Sequence, residues 1–125
     1  MKLLNSLYSI KSKDSGNGIR YDIQLDASHF IYEAHFPNEP ITPGVCIIQI
    51  AKELLEDHLG QNLNIKIVKN AKFLNVISPL EMPLVTYAFE KILIDNLDKT
   101  YKVQVLITSS DVSLAKLSFT CKNND

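Results

Sequence analysis

The chain has 125 residues, the length of one ordinary domain, which buries roughly two-thirds of the surface its unfolded form exposes. Its 13 Lys and Arg balance 14 Asp and Glu, so bulk electrostatics give no reason to expect nucleic acid or an anionic membrane as partner. No stretch approaches the ~20 apolar residues of a membrane span, the opening Met1-Lys2-Leu3-Leu4 is too short for a signal peptide, and a cytoplasmic protein is expected.

In chain order, Leu3, Leu4 and Leu7 are spaced for a short helix or an apolar clip onto the body, and Lys11 to Gly18 is polar and glycine-bearing, a turn or loop. From Ile19 to Leu25, apolar Ile19, Tyr21, Ile23 and Leu25 alternate with Arg20, Asp22 and Gln24, the period-2 pattern of a half-buried strand. The stretch His35-Phe36-Pro37-Asn38-Glu39-Pro40-Ile41-Thr42-Pro43-Gly44-Val45 follows. Its prolines fix a turning, extended loop. Thr42 suits an N-cap, Pro43 the first helical position and Gly44 the second. A helix is expected from about Pro43 to Leu59, closed by Gly60, with its first half apolar almost all round through Val45, Cys46 and Ile48 and its second half polar along Gln49, Lys52, Glu53 and Glu56.

Beyond Gly60 the pattern returns to strands: Asn64 to Val68, Lys72 to Ile77, then Leu84 to Ile94, Tyr101 to Ser109 and Val112 to Lys122, the last three joined by short turns as an antiparallel meander. One strand before the helix and about five after it define a single α+β domain, residues 1–125, in which a curved antiparallel sheet packs on one central helix. Cys46 and Cys121 lie in apolar segments without a Cys or His at ligand spacing, and are read as reduced core thiols; neither metal nor cofactor is expected.

The helix start has a chemistry of its own. Its first N–H groups lack intrahelical partners and carry the positive end of the helix dipole, and Gly44 has no side chain to keep a ligand oxygen away. A histidine just upstream, His35, completes a candidate site.

This stretch resembles the hot-dog-fold beta-hydroxyacyl-acyl-carrier-protein dehydratases of fatty-acid synthesis, whose signature is matched by His35-Phe36-Pro37 and Pro40-Ile41-Thr42-Pro43-Gly44-Val45, with a second element in Lys72-Phe73-Leu74 and Ile77-Ser78-Pro79. The resemblance implies a hot-dog fold and dehydration of a beta-hydroxyacyl thioester to the trans-2-enoyl form. His35 would be the acid-base group at the alpha carbon, the Gly44 N–H would hold the thioester carbonyl, and Phe36, Pro43 and Val45 would line the substrate site. It also implies an acyl-carrier-protein or coenzyme A thioester as substrate and a homodimer or higher oligomer, each site receiving a helix carboxylate from the other subunit. That carboxylate belongs fourteen residues after the histidine, where this chain has Gln49. An amide neither donates nor takes back a proton, a loss of roughly 3 to 5 kcal/mol against general acid-base catalysis. By shape Gln49→Glu is nearly isosteric and restores the group. Glu53, one turn on, is the other candidate carboxylate, but Lys52 and Glu56 beside it read as a solvated face.

Four functions follow: a slow dehydratase with Gln49 orienting hydroxyl or water, a non-catalytic subunit of a hot-dog heterodimer, a hot-dog thioesterase, and a plain acyl-thioester binding module. His29 and His58 are read as surface or loop residues. Lys66, Lys69 and Lys72 are read first as a solvated strand edge and second as a landing for an acidic carrier.

Overall fold

The computed structural model describes residues 2–123. The elements are β1 (Tyr8–Asp14), β2 (Ile19–Leu25), a short α1 (Ile31–Ala34), α2 (Gly44–Leu59), β3 (Leu63–Phe73), β4 (Leu84–Asp95), β5 (Thr100–Ser109) and β6 (Val112–Asn123). The six strands form one antiparallel sheet in the order β1-β2-β4-β5-β6-β3. This is the α+β, hot-dog arrangement expected from the sequence, with a sheet folded about one long helix.

The core follows the alternation. Tyr21, Ile23 and Leu25 of β2, Tyr101, Val103, Val105 and Ile107 of β5, and Ala115, Leu117, Phe119 and Cys121 of β6 are buried, as their shared-face patterns require. From α2, Cys46, Ile47, Ile50, Ala51, Leu54 and Leu55 join them. Gly60 ends the helix in the left-handed region at φ 66°, its N–H donating to Glu56 O. Both cysteines are unbridged and buried, and burial pushes the Cys121 thiol up to about 12, which keeps it an inert core group. Among the described residues, no helix is long and apolar enough to cross a membrane.

Several expectations are corrected. Two strands precede α2, because Tyr8–Asp14, which takes in the first half of the loop expected from Lys11 to Gly18, is a strand paired with β2; its Lys and Ser side chains are largely turned to solvent and hide the period. The short strands expected at 64–68 and 72–77 are one strand, β3, bent by register shifts between Ile65 and Ile67 and between Val68 and Asn70. Residues 74–77 lie outside it. The apolar first half of α2 is also less enclosed than its sequence indicates: Val45 is 67% exposed, and Ile48 is only half-buried. The clip is as expected, with Leu3 and Leu7 buried.

Candidate functional site

The loop ahead of α2 is rigid through its backbone. Phe36 and Glu39 exchange N–H···O bonds across a turn, Ile41 N–H reaches His35 O at 2.7 Å, and Thr42 N–H reaches Ile77 O at 2.8 Å, which ties the loop to the segment after β3. Thr42 is not the N-cap. Pro43 holds that position, and the Thr42 hydroxyl is buried against the Tyr32 hydroxyl at 2.8 Å. The physical reason is competition: a hydroxyl buried beside a phenol satisfies both, so it is not available to the helix.

The helix therefore starts uncapped. Cys46 and Ile47 N–H both donate to Pro43 O, while among the described residues the N–H groups of Gly44 and Val45 have no acceptor. Gly44 opens on a cleft of about 420 Å³, whose walls are mostly apolar: Ile41, Ile47, Phe73, Leu74, Val76 and Ile77, with Thr42 and Asn75 the polar exceptions. The Phe73 ring lies so close that a Cβ on Gly44 would sit 2.9 Å from its tip. Behind the helix start, the fully buried Tyr87 donates to Ile47 O at 3.0 Å, and burial pushes the Tyr32, Tyr87 and Cys46 groups up, so all three stay neutral.

His35 is exposed in the loop, its ring edge-on to Phe36, which is itself 54% exposed. Neither lines the Gly44 cleft, and nor do Pro43, Val45 or Gln49. Among the described residues no hydrogen bond joins His35 to Gln49. The sequence-predicted residues thus share one loop and one helix, but a single chain does not close them into one pocket.

Gln49 is half-buried and donates through Nε2 to Glu53 Oε2 at 2.7 Å. Glu53 is not on a solvated face. It is 4% exposed, and its oxygens also accept from Leu3 N–H and Leu4 N–H, each at 2.8 Å, and from the Tyr8 hydroxyl at 3.1 Å. Burial and the neighbouring carboxylate push the Tyr8 hydroxyl well above the ordinary range, keeping it a donor. The opening segment covers Glu53, a long-range event to which the local Lys52 and Glu56 gave no clue. Phe73 was visible in the Lys72-Phe73-Leu74 element but not assigned to the helix start; the bare glycine facing a strand-end aromatic is the signal that points to it. Among the described residues no cluster of three His, Cys, Asp or Glu side chains is placed to hold a metal.

A long helix under a curved antiparallel sheet, entered through an uncapped Pro-Gly turn, defines a hot-dog domain. Residues 11–110 match the ApeI-like family, described as ApeI dehydratase, and the chain belongs to that family. Among solved structures, the dehydratase heterocomplex ApeI:P from Xenorhabdus doucetiae is similar at 16% identity and a TM-score of 0.63, over 98% of this chain and 100% of that one. An uncharacterized protein from Erwinia carotovora subsp. atroseptica is similar at 17% identity and a TM-score of 0.63, over 92% of this chain and 90% of that one. No curated protein sequence matches this chain.

Proposed function

We propose that the chain acts on a beta-hydroxyacyl thioester, carried by acyl carrier protein or coenzyme A, and dehydrates it to the trans-2-enoyl form. The observation that carries this reading is the uncapped helix start, where among the described residues the Gly44 and Val45 N–H groups lack acceptors and Gly44 opens on an apolar cleft. A thioester carbonyl seated on those donors gains stabilisation as its alpha proton leaves and charge builds on oxygen. His35 takes that proton. The C–O bond to the beta carbon then breaks as the double bond forms, and His35 returns the proton to the departing hydroxyl, which leaves as water. Gln49 orients that hydroxyl and cannot protonate it, so turnover is slow.

A second reading rests on a specific pair of observations. Gln49 is turned onto Glu53, and β3 is an edge strand of the sheet whose last residue, Phe73, lies against Gly44 at the start of α2. Free edges and exposed apolar helix faces call for a partner chain. The similar ApeI:P structure is a heterocomplex, and this chain would be the subunit that completes another's site.

Crotonyl-thioester hydration, followed by absorbance, separates the readings. A dehydratase shows activity that His35→Ala removes and that Gly44→Val abolishes by closing the donors. Silence of the folded protein alone, with activity only after mixing with a second hot-dog chain, favours the partner reading. Silence in both sinks the enzymatic proposal.

A further inference from the structure

The near-zero total charge conceals a strong segregation. Strands β3 to β6 hold seven lysines, at 66, 69, 72, 91, 102, 116 and 122, against Glu90 and Asp95, a net of +5; the rest of the chain therefore carries −6 of the total −1. Strand alternation places most of these lysines on the sheet face turned away from α2, since Lys102 and Lys116 alternate with buried Tyr101, Val103, Ala115 and Leu117.

Register brings them together. Leu93, Lys102, Thr120 and Ile67 form one cross-strand row over β4, β5, β6 and β3, and Lys91, Gln104, Ser118 and Asn70 form the next. In the row beyond, Lys72 lies directly opposite Lys116, a like-charge pair that destabilises a sheet. Among the described residues the one ion pair is elsewhere, between Lys52 and Glu56. A groove of about 460 Å³ runs across the first two rows, lined by Lys69, Lys91 and Lys102 with Ile67 and Leu93 and without a carboxylate. Ile67 is 62% exposed and Leu93 51%.

We infer that this outer groove docks an acidic amphipathic helix of a protein partner, its carboxylates meeting Lys69, Lys91 and Lys102 and its aliphatic side chains seated between Ile67 and Leu93. The face has no arginine fork and no aromatic platform, which argues against nucleic acid. It is a recess with aliphatic walls, not a protruding aromatic anchor, which argues against a membrane surface. The proposal goes beyond the thioester reading and is independent of it, because the face lies across the sheet from the helix.

The test uses the intact protein and a synthetic Glu/Leu amphipathic helix as probe, with a Lys/Leu helix of equal length, phosphatidylglycerol vesicles and poly(U) RNA as alternatives. The expected result is selective, salt-sensitive binding of the acidic helix. The combined Lys69→Gln, Lys91→Gln and Lys102→Gln variant weakens it at least tenfold, and Ile67→Ser with Leu93→Ser weakens it several-fold; melting temperatures verify folding, and thioester hydration is unchanged. Equal binding of both helices, preference for vesicles or RNA, or an acidic-helix affinity indifferent to the lysine changes overturns the proposal. Indifference to the Ile67 and Leu93 changes overturns the groove as the seat.

Discussion

The two polar points of α2 make opposite bargains with the rest of the chain. At its start, among the described residues, the N–H groups of Gly44 and Val45 have no acceptor, and Gly44 faces an apolar cleft. Two turns on, Glu53 accepts four hydrogen bonds from Leu3, Leu4, Tyr8 and Gln49, and almost no solvent reaches it. Donors at a surface cleft lose little when unpaired, because water or a ligand supplies the acceptor; a buried carboxylate without donors would be prohibitively costly. The helix start therefore leaves its donors open to water or a ligand, and the middle holds the fold.

The largest effect that would break this contrast is the loss of the Glu53 acceptor. Glu53→Ala strands two backbone N–H groups and a phenol, and a destabilisation of about 3 kcal/mol or more is expected at roughly 1 to 3 kcal/mol per unsatisfied buried donor. Urea unfolding measures it, and a loss under 1 kcal/mol would show the cluster to be dispensable.

Next comes Gln49→Glu. Its shape is conservative, but the new carboxylate would lie where Nε2 now sits 2.7 Å from Glu53 Oε2. Two carboxyls that close share a proton, so one folded-state pKa rises above the unfolded value of about 4.3. A raised pKa means stability present at acid pH and lost as pH climbs through the folded value. The variant should be about 1 to 3 kcal/mol less stable than wild type at pH 7, with the gap narrowing at pH 4 to 5. A gain of about tenfold in hydration, the ordinary expectation for a restored acid-base group, is better sought in Gln49→Glu combined with Glu53→Gln, which keeps one amide and one carboxylate in contact. If the single variant is as stable as wild type at every pH, the pairing of Gln49 with Glu53 is wrong.

Tyr8→Phe sharpens the same cluster at lower cost. It removes one donor of four and should cost about 1 kcal/mol in chemical unfolding. The smallest effect belongs to His58, near the other end of α2. Its buried Nδ1 has no partner among the described residues, and burial, with Lys13 nearby, holds its pKa below the usual value. The folded chain then binds that proton less readily than the unfolded one, so stability falls as pH drops below about 6.5. His58→Leu should flatten the melting-temperature profile between pH 7 and 5 by a small margin, leaving the neutral value nearly unchanged.

The legibility of the sequence divides along the same line. The loop and helix start are written locally: Pro37, Pro40, Pro43 and Gly44 dictate their own backbone, and the alternation in β2, β5 and β6 needs no distant information. Glu53 was read as solvated because its fate is decided 50 residues away by Leu3. Thr42 was read as a cap because its competitor, Tyr32, lies outside any capping pattern. β1 was missed because a strand of Ser and Lys on a sheet edge buries little, and β3 was split because its register shifts break the period at Lys66 and Lys69. The basic face was legible only in part: Lys66, Lys69 and Lys72 stand together on one strand, whereas Lys91, Lys102 and Lys116 join them only through register.

Strands β1, β2, β4, β5 and β6 follow one another in the sheet as a continuous up-and-down ribbon, and everything from 26 to 82 departs from that ribbon and returns to it. The Leu25 N–H donates to Pro83 O at 2.8 Å, so the departure and the return are stitched together at one point. In the language of circuits, the loop with His35, the helix with Gly44 and the edge strand β3 are wired in series between two terminals at that junction, with β3 tied back to the ribbon along β6. Such a module has fixed terminals and a variable interior. Its chemistry is open to revision by substitutions between the terminals, while the ribbon that carries it retains its own pairing.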